Sequence, residues 1–228
     1  MPNLNQFEEH FLDSCIILYK LLESKKCVVE YFKENHNRHI SRRVKKEVEN
    51  IIQGRRREIL AFLDWLEKQE IKKRGVNEII DLLSTYELVN QKNMEFMEKF
   101  VDKYLETIKD FLINGDKSIF EIIENVSETL LKVLDQWEKL LRENRIKLHQ
   151  SHFYVEYYYY FEYTDLMKIM NYENDAKILL DAYDLSKKII KSIAFLTSDK
   201  KHILNNKNEI EKILDGINIF AICLGNNN

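Results

Sequence analysis

Pro2 is the only proline in 228 residues, and only five glycines accompany it. A chain so short of turn-forming residues lacks the material for the frequent tight turns of an all-β fold and for long disordered linkers, so helix should dominate. The length suits one large domain, or a compact domain carrying a sizeable insertion, and 45% hydrophobic residues are enough for a buried core.

The formal net charge of -3 conceals a large gross charge, with 32% of residues Asp, Glu, Lys or Arg, so local patches matter more than the total. Cys15, Cys27 and Cys223 are odd in number and lack the close pairing of zinc ligands, which supports neither a disulfide framework nor a zinc site and fits a reducing cytoplasm. The N-terminal MPNLNQFEEHFLD carries acids where a secretory signal would place lysine and then an apolar core, and no apolar run reaches spanning length. The expectation is a soluble cytoplasmic protein with no membrane partner.

The first apolar segment, His10 to Leu22, is interrupted by Asp13. Its early part is short and extended, and its later part has apolar residues at three- and four-residue spacing, so we read a strand ending at Asp13 and a helix starting near Ser14. Val28 to Phe32 reads as a helix end or linker. Ser41 has the chemistry to cap a helix holding Val44, Val48, Ile51 and Ile52, with Glu47 among them and Gly54 as a break. From there to about Gln150 the spacing is only helical, with a capping box at Ser118 and Glu121. Asn174 and Asp175 open a further helix. Ile193 to Leu196 reads as a short buried strand closed by Thr197, Ser198 and Asp199, and Ile217 to Ile222 as a final strand after a short helix at Glu209 to Leu214.

Strands separated by helices point to βαβ units and a parallel sheet, in which functional groups collect at the carboxyl ends of the strands. Asp13 and Asp199 each follow an apolar strand at that edge, and Glu47 and Asp175 lie on helices able to reach it.

The segments FLDSCIILYKLLES, HISRRVKKEVENI, NDAKILLDAYDL and AFLTSDKKHIL occur in the order of the successive motifs of PIN-domain nucleases, and the chain resembles that family over roughly residues 8 to 53 and 170 to 222. Asp13 matches the acid ending the family's first strand, Glu47 the glutamate of its second motif, Asp175 the third acid, with Ala182 seven residues later, and Asp199 the acid after a strand ending in threonine. Ser14 and Cys15 stand where many members have Thr-Asn, which keeps a hydroxyl and loses an amide. The resemblance implies a three-layer α/β/α PIN-like domain with a central parallel sheet, built from residues 1–53 and 151–228 and interrupted by an all-helical insertion at 54–150. It implies a metal-dependent endoribonuclease that leaves 5′-phosphate and 3′-hydroxyl ends. The four carboxylates Asp13, Glu47, Asp175 and Asp199 would hold Mg²⁺ or Mn²⁺, hard cations that prefer carboxylate and water oxygens.

Asp181, Asp184 and Asp165 compete with Asp175 for the third position. Between His36 and Arg57 a basic band that includes Arg38, Arg42, Arg43, Lys45, Lys46, Arg55, Arg56 and Arg57 is suited to phosphate contacts, the source of most sequence-independent affinity for nucleic acid. Ser14, Arg38, Arg42, Arg43, Thr197 and Lys200 are thus the candidate substrate contacts, with single-stranded or structured RNA as partner. Ser14 and Thr197 would orient waters or carboxylates, because no histidine base accompanies them as nucleophiles. His36, His39 and His202 have the chemistry to touch phosphate, without a metal-ligand partner at convincing spacing. The tyrosines at 157 to 160 cannot share one helix face, and packing is the favoured reading over base stacking. Long amphipathic helices leave room for a homodimer or a protein partner. Two other readings stay open: a catalytically inactive PIN-like scaffold binding RNA or a protein partner through the insertion, and a helical interaction protein whose acids never meet.

Overall fold

The computed structural model describes residues 4–23, 25–68, 128, 132, 136, 137 and 139–222. The chain divides into two compact units, Met1–Glu49 with Asp135–Asn228, and Asn50–Leu134. The first unit holds a five-stranded sheet in the order β3-β2-β1-β4-β5, with every pairing parallel. Its elements run β1 (Glu9–Leu12), α1 (Ser14–Leu18), α2 (Lys26–Lys33), β2 (Asn37–Ser41), α3 (Arg42–Lys68), β3 (Ile146–His149), α4 (Val155–Tyr158), α5 (Tyr160–Ile169), α6 (Glu173–Ile189), β4 (Ile193–Thr197), α7 (Lys207–Ile213) and β5 (Ile217–Ala221), α3 continuing beyond the unit.

Burial explains the layering. All five residues of β4 are buried, and so are His10, Phe11 and Leu12 of β1, which requires cover on both faces of the sheet. The arrangement is consistent with a three-layer α/β/α fold. Phe11 and Phe195 stack on neighbouring strands with ring centroids 5.8 Å apart. Helix α6 supplies one cover, burying Ala176, Ile178, Leu179, Ala182 and Leu185. Gly216, at φ 99°, turns the chain into β5 in a conformation that residues with a Cβ rarely adopt.

The topology fixes where a site belongs. From β1 the chain builds outward to β2 and β3 on one side, and β4 and β5 fill the other. The direction of winding therefore reverses between β1 and β4, and the crevice at their carboxyl ends is the switch point where open parallel sheets bind ligands. Asp13 follows β1 directly, and Thr197 ends β4.

Several expectations need correction. The stretch to Gln150 is not helical throughout, because β3 occupies Ile146–His149 at the sheet edge. Val28 to Phe32 lies inside α2. Gly54 does not break α3, and a lone helical glycine costs only about 1 kcal/mol. Cys27 is disulfide-bonded; an odd cysteine count rules out complete pairing and leaves room for one bridge. Tyr157 is 72% exposed, and Tyr158 and Tyr160 are exposed too, so the favoured packing of the aromatic run holds only in part. Tyr159 alone of the four points inward, donating its hydroxyl to Asp184 Oδ1 at 3.0 Å. The capping box at Ser118 and Glu121 lies outside the described residues.

Candidate active site

Asp13 is the N-cap of α1, with extended backbone (φ -73°, ψ 159°) between strand and helix. Its position is set from β4: Asp13 N donates to Leu196 O at 3.0 Å, continuing the β1–β4 ladder one residue past its end. Asp13 Oδ1 accepts from Ser14 N at 2.7 Å, and Oδ2 accepts from Thr197 Oγ1 at 2.6 Å and from Cys15 Sγ at 3.2 Å. The Cys15 thiol is thus one of the donors that hold Asp13. Burial, and then the Asp13 charge, push the Cys15 thiol well above its ordinary range, which keeps it protonated and able to donate.

Thr197 is fully buried and both its hydroxyl functions are used, one toward Asp13 and one accepting from Asp199 N at 3.0 Å. It ties the acid of β1 to the loop that follows β4. This removes Thr197 from the candidate substrate contacts and makes it a positioning residue. Ser14, also buried, donates from its backbone and hydroxyl to Asp13, so it too positions that carboxylate.

Glu47 sits in the second turn of α3, whose start is capped by Ser41 Oγ accepting from Val44 N at 3.2 Å. Asn174 Nδ2 donates to Glu47 Oε2 at 3.0 Å and joins the glutamate to the start of α6. Asp175 lies in the first turn of α6. Asp199 accepts from His202 N at 3.0 Å and from His202 Nδ1 at 3.0 Å, and the same Nδ1 lies 3.4 Å from Asp175 Oδ2.

Three of the four acids have a pKa raised in part by the charge of another member. Burial pushes Asp13 up, with Asp199 adding to it; burial pushes Glu47 up, with Asp13 adding to it. Asp175 feels all three others and, burial acting first, is held at about 7. Like charges held this close disfavour the ionised form of each other, and His202 partly offsets this at Asp175. Ligand atoms of Asp175, Asp199 and His202 all lie within 4.8 Å of one another, a spacing one cation can bridge. The two carboxylates are the ligand type that hard cations such as Mg²⁺ or Mn²⁺ take.

His202 is the residue whose role the sequence reading missed; its only signal was a position three residues after Asp199. Tyr172 stacks on it, with ring centroids 4.4 Å apart.

The basic candidates separate sharply. Arg38 is 3% exposed and lies toward the amino end of the sheet, where its guanidinium donates to Tyr31 O, Asn144 O and Glu34 O, so it drops out as a phosphate contact. Arg42 and Lys200 are exposed, Arg42 opening α3 and Lys200 following Asp199. Arg43 is half-buried, with Nε 3.4 Å from Asp181 Oδ2 and Nη2 3.5 Å from Glu156 Oε2. His36 and His39 pair with Glu34 and Glu9.

The rival third acids have other partners. Asp181 is buried against Arg43, Asp165 pairs with Lys168 at 2.7 Å on the surface, and Asp184 accepts from His149 Nε2 at 2.9 Å and pairs with Lys188 at 2.8 Å. None is among the groups raising the pKa of Asp175. No helix among the described residues is long and apolar enough to cross a membrane. Comparison with family models, with curated proteins and with solved structures finds no match.

Proposed function

We propose that the chain is a metal-dependent endoribonuclease of PIN-like type, with the stretch from residue 54 to the start of the first unit's second segment at Asp135 an insertion into the nuclease domain, acting through Asp13, Glu47, Asp175 and Asp199. One observation supports the reading: Asp175, Asp199 and His202 bring ligand atoms within 4.8 Å of one another, and the charges of Asp13, Glu47 and Asp199 all act on Asp175. Nothing in core packing asks for this, since clustered like charges oppose folding unless a function retains them.

Asp175, Asp199 and His202 would hold Mg²⁺ or Mn²⁺, with Asp13 and Glu47 beside them. When bound, the ion supplies neutralising charge and acidifies a water for attack on phosphorus. The chain's own part is geometric. Thr197, Ser14 and Cys15 keep Asp13 in one orientation, and Asn174 does the same for Glu47. Arg42 and Lys200, exposed just past the carboxyl ends of β2 and β4, would supply countercharge to a phosphate backbone. RNA is the proposed substrate through the family resemblance.

The inactive-scaffold alternative draws on His202. Its Nδ1 lies 3.4 Å from Asp175 Oδ2 and 3.0 Å from Asp199 Oδ2, so the ring already fills the space between the two carboxylates. Cleavage separates the two. A mixed RNA pool should be cut in Mn²⁺, and cutting should vanish in Asp13→Asn and in Asp199→Asn; cutting that survives both changes overturns the assignment, and RNA bound but left intact favours the scaffold.

A further inference from the structure

Beside the carboxylates lies an open pocket of about 480 Å³ lined by Arg43, Asn171, Tyr172, Glu173, Asn174 and Lys177. Its volume falls in the range of small-molecule sites. Two of its residues also belong to the acidic centre's surroundings: Asn174 donates to Glu47, and Tyr172 stacks on His202. The pocket is therefore the next space along the same edge of the sheet.

Its two cations are held in place by a shared acid. Glu156 presents Oε2 to Arg43 Nη2 at 3.5 Å and Oε1 to Lys177 Nζ at 3.1 Å. Burial alone would push Glu156 up, but its own backbone N–H, Lys177 and Arg43 outweigh it and hold it below the usual glutamate range, so the bracket is ionised. Lys177 also meets Glu173 at 2.6 Å, and Arg43 Nε meets Asp181. An ammonium has three donors and a guanidinium five, so neither cation is exhausted by these contacts. Tyr172, 45% exposed, lines the pocket and stacks one ring face on His202.

We infer that this pocket takes a nucleoside monophosphate unit, its phosphate on Lys177 and Arg43 and its base on Tyr172. The inference rests on the nuclease reading for its place in a strand, as the nucleotide neighbouring the scissile bond. The chemistry of recognition is the same for a free nucleotide. Because Glu156, Glu173 and Asp181 already face the two cations, affinity comes from fixed donors and stacking rather than from net charge. A single nucleotide should bind weakly, and an unpaired strand better.

The test is calorimetric titration of the full chain in EDTA, which keeps RNA intact, with adenosine 5′-monophosphate in one arm and single-stranded oligoadenylate in the other. Binding in either arm should weaken on the order of tenfold in Tyr172→Ala and in Lys177→Gln, a stacked base being worth about that much. Binding of the mononucleotide identifies a free-nucleotide pocket; binding of the strand alone identifies a subsite. No binding in either arm, or binding indifferent to both substitutions, overturns the inference. If binding follows Tyr172 and Lys177 while Mn²⁺-dependent cleavage is absent, the nuclease reading falls and the pocket stands; if cleavage occurs and binding ignores both residues, the reverse holds.

Discussion

Helix α6 carries two carboxylates with opposite fates. Asp175, in its first turn, faces three other acids and is pushed up to about 7 by burial and their charge. Asp184, nine residues on, is fully buried, yet its carboxyl is held at about 2: burial pushes it up, and hydrogen bonds from His149, Lys188 and Tyr159 more than reverse that. Both are aspartates on one helix. What differs is the balance of what surrounds them: donors dominate around Asp184, and other acids dominate around Asp175.

The largest effect should come from removing the satisfied acid. In Asp184→Ala the donors of His149, Lys188 and Tyr159 lose their acceptor, and breaking a buried pair from one side costs about 3 kcal/mol or more. Chemical denaturation should show that loss without metal; an unchanged midpoint would mean the network is ornamental. The same group should weaken the protein in acid. Its folded pKa lies below the ordinary 3.8, so its contribution is present above about pH 4 and is lost as pH falls through about 2. At roughly 1.4 kcal/mol per unit the loss is on the order of 2 kcal/mol, and Asp184→Asn should remove it from the acid limb of the stability curve.

Asp175 should behave in the opposite sense. Its folded pKa is raised, so the metal-free protein holds its proton more tightly when folded, and stability declines as pH rises from about 4 through 7. Asp175→Asn removes that penalty and should stabilise the metal-free chain at pH 8 by about 1–2 kcal/mol. A destabilised Asp175→Asn variant would show that the cluster is a structural network after all. The smallest effect belongs to Lys188, half-exposed at its end of the network: Lys188→Ala should cost about 1 kcal/mol or less by thermal melting, because His149 and Tyr159 remain on Asp184.

The same contrast explains what was legible in the sequence. Asp13 announces itself because a carboxylate in an apolar segment has to be explained, and the change from extended to helical spacing at Ser14 falls where α1 begins. Strand β4 is a fully buried run and reads as one. Strands β2 and β3, Asn-Arg-His-Ile-Ser and Ile-Lys-Leu-His, are short and polar, so their identity lies in backbone pairing with neighbours rather than in their side chains. Arg38 shows why charge alone misleads: a basic run gives no hint of which end of a strand each residue occupies, and β2 carries Arg38 toward the end opposite the acids. Asp184 and Asp175 were indistinguishable as letters. Only the fold brings His149 to one and Asp199 to the other.

The central claim is that the four carboxylates act as one cation-holding site. Titration of the metal-free protein with Mn²⁺, followed by the loss of the free-ion electron paramagnetic resonance signal, tests it directly. The account predicts saturable binding that weakens at least tenfold in Asp175→Asn and in Asp199→Asn while Asp184→Asn, where folded, binds as the parent does. Mn²⁺ left free at millimolar protein, or bound equally well by all three variants, would contradict it.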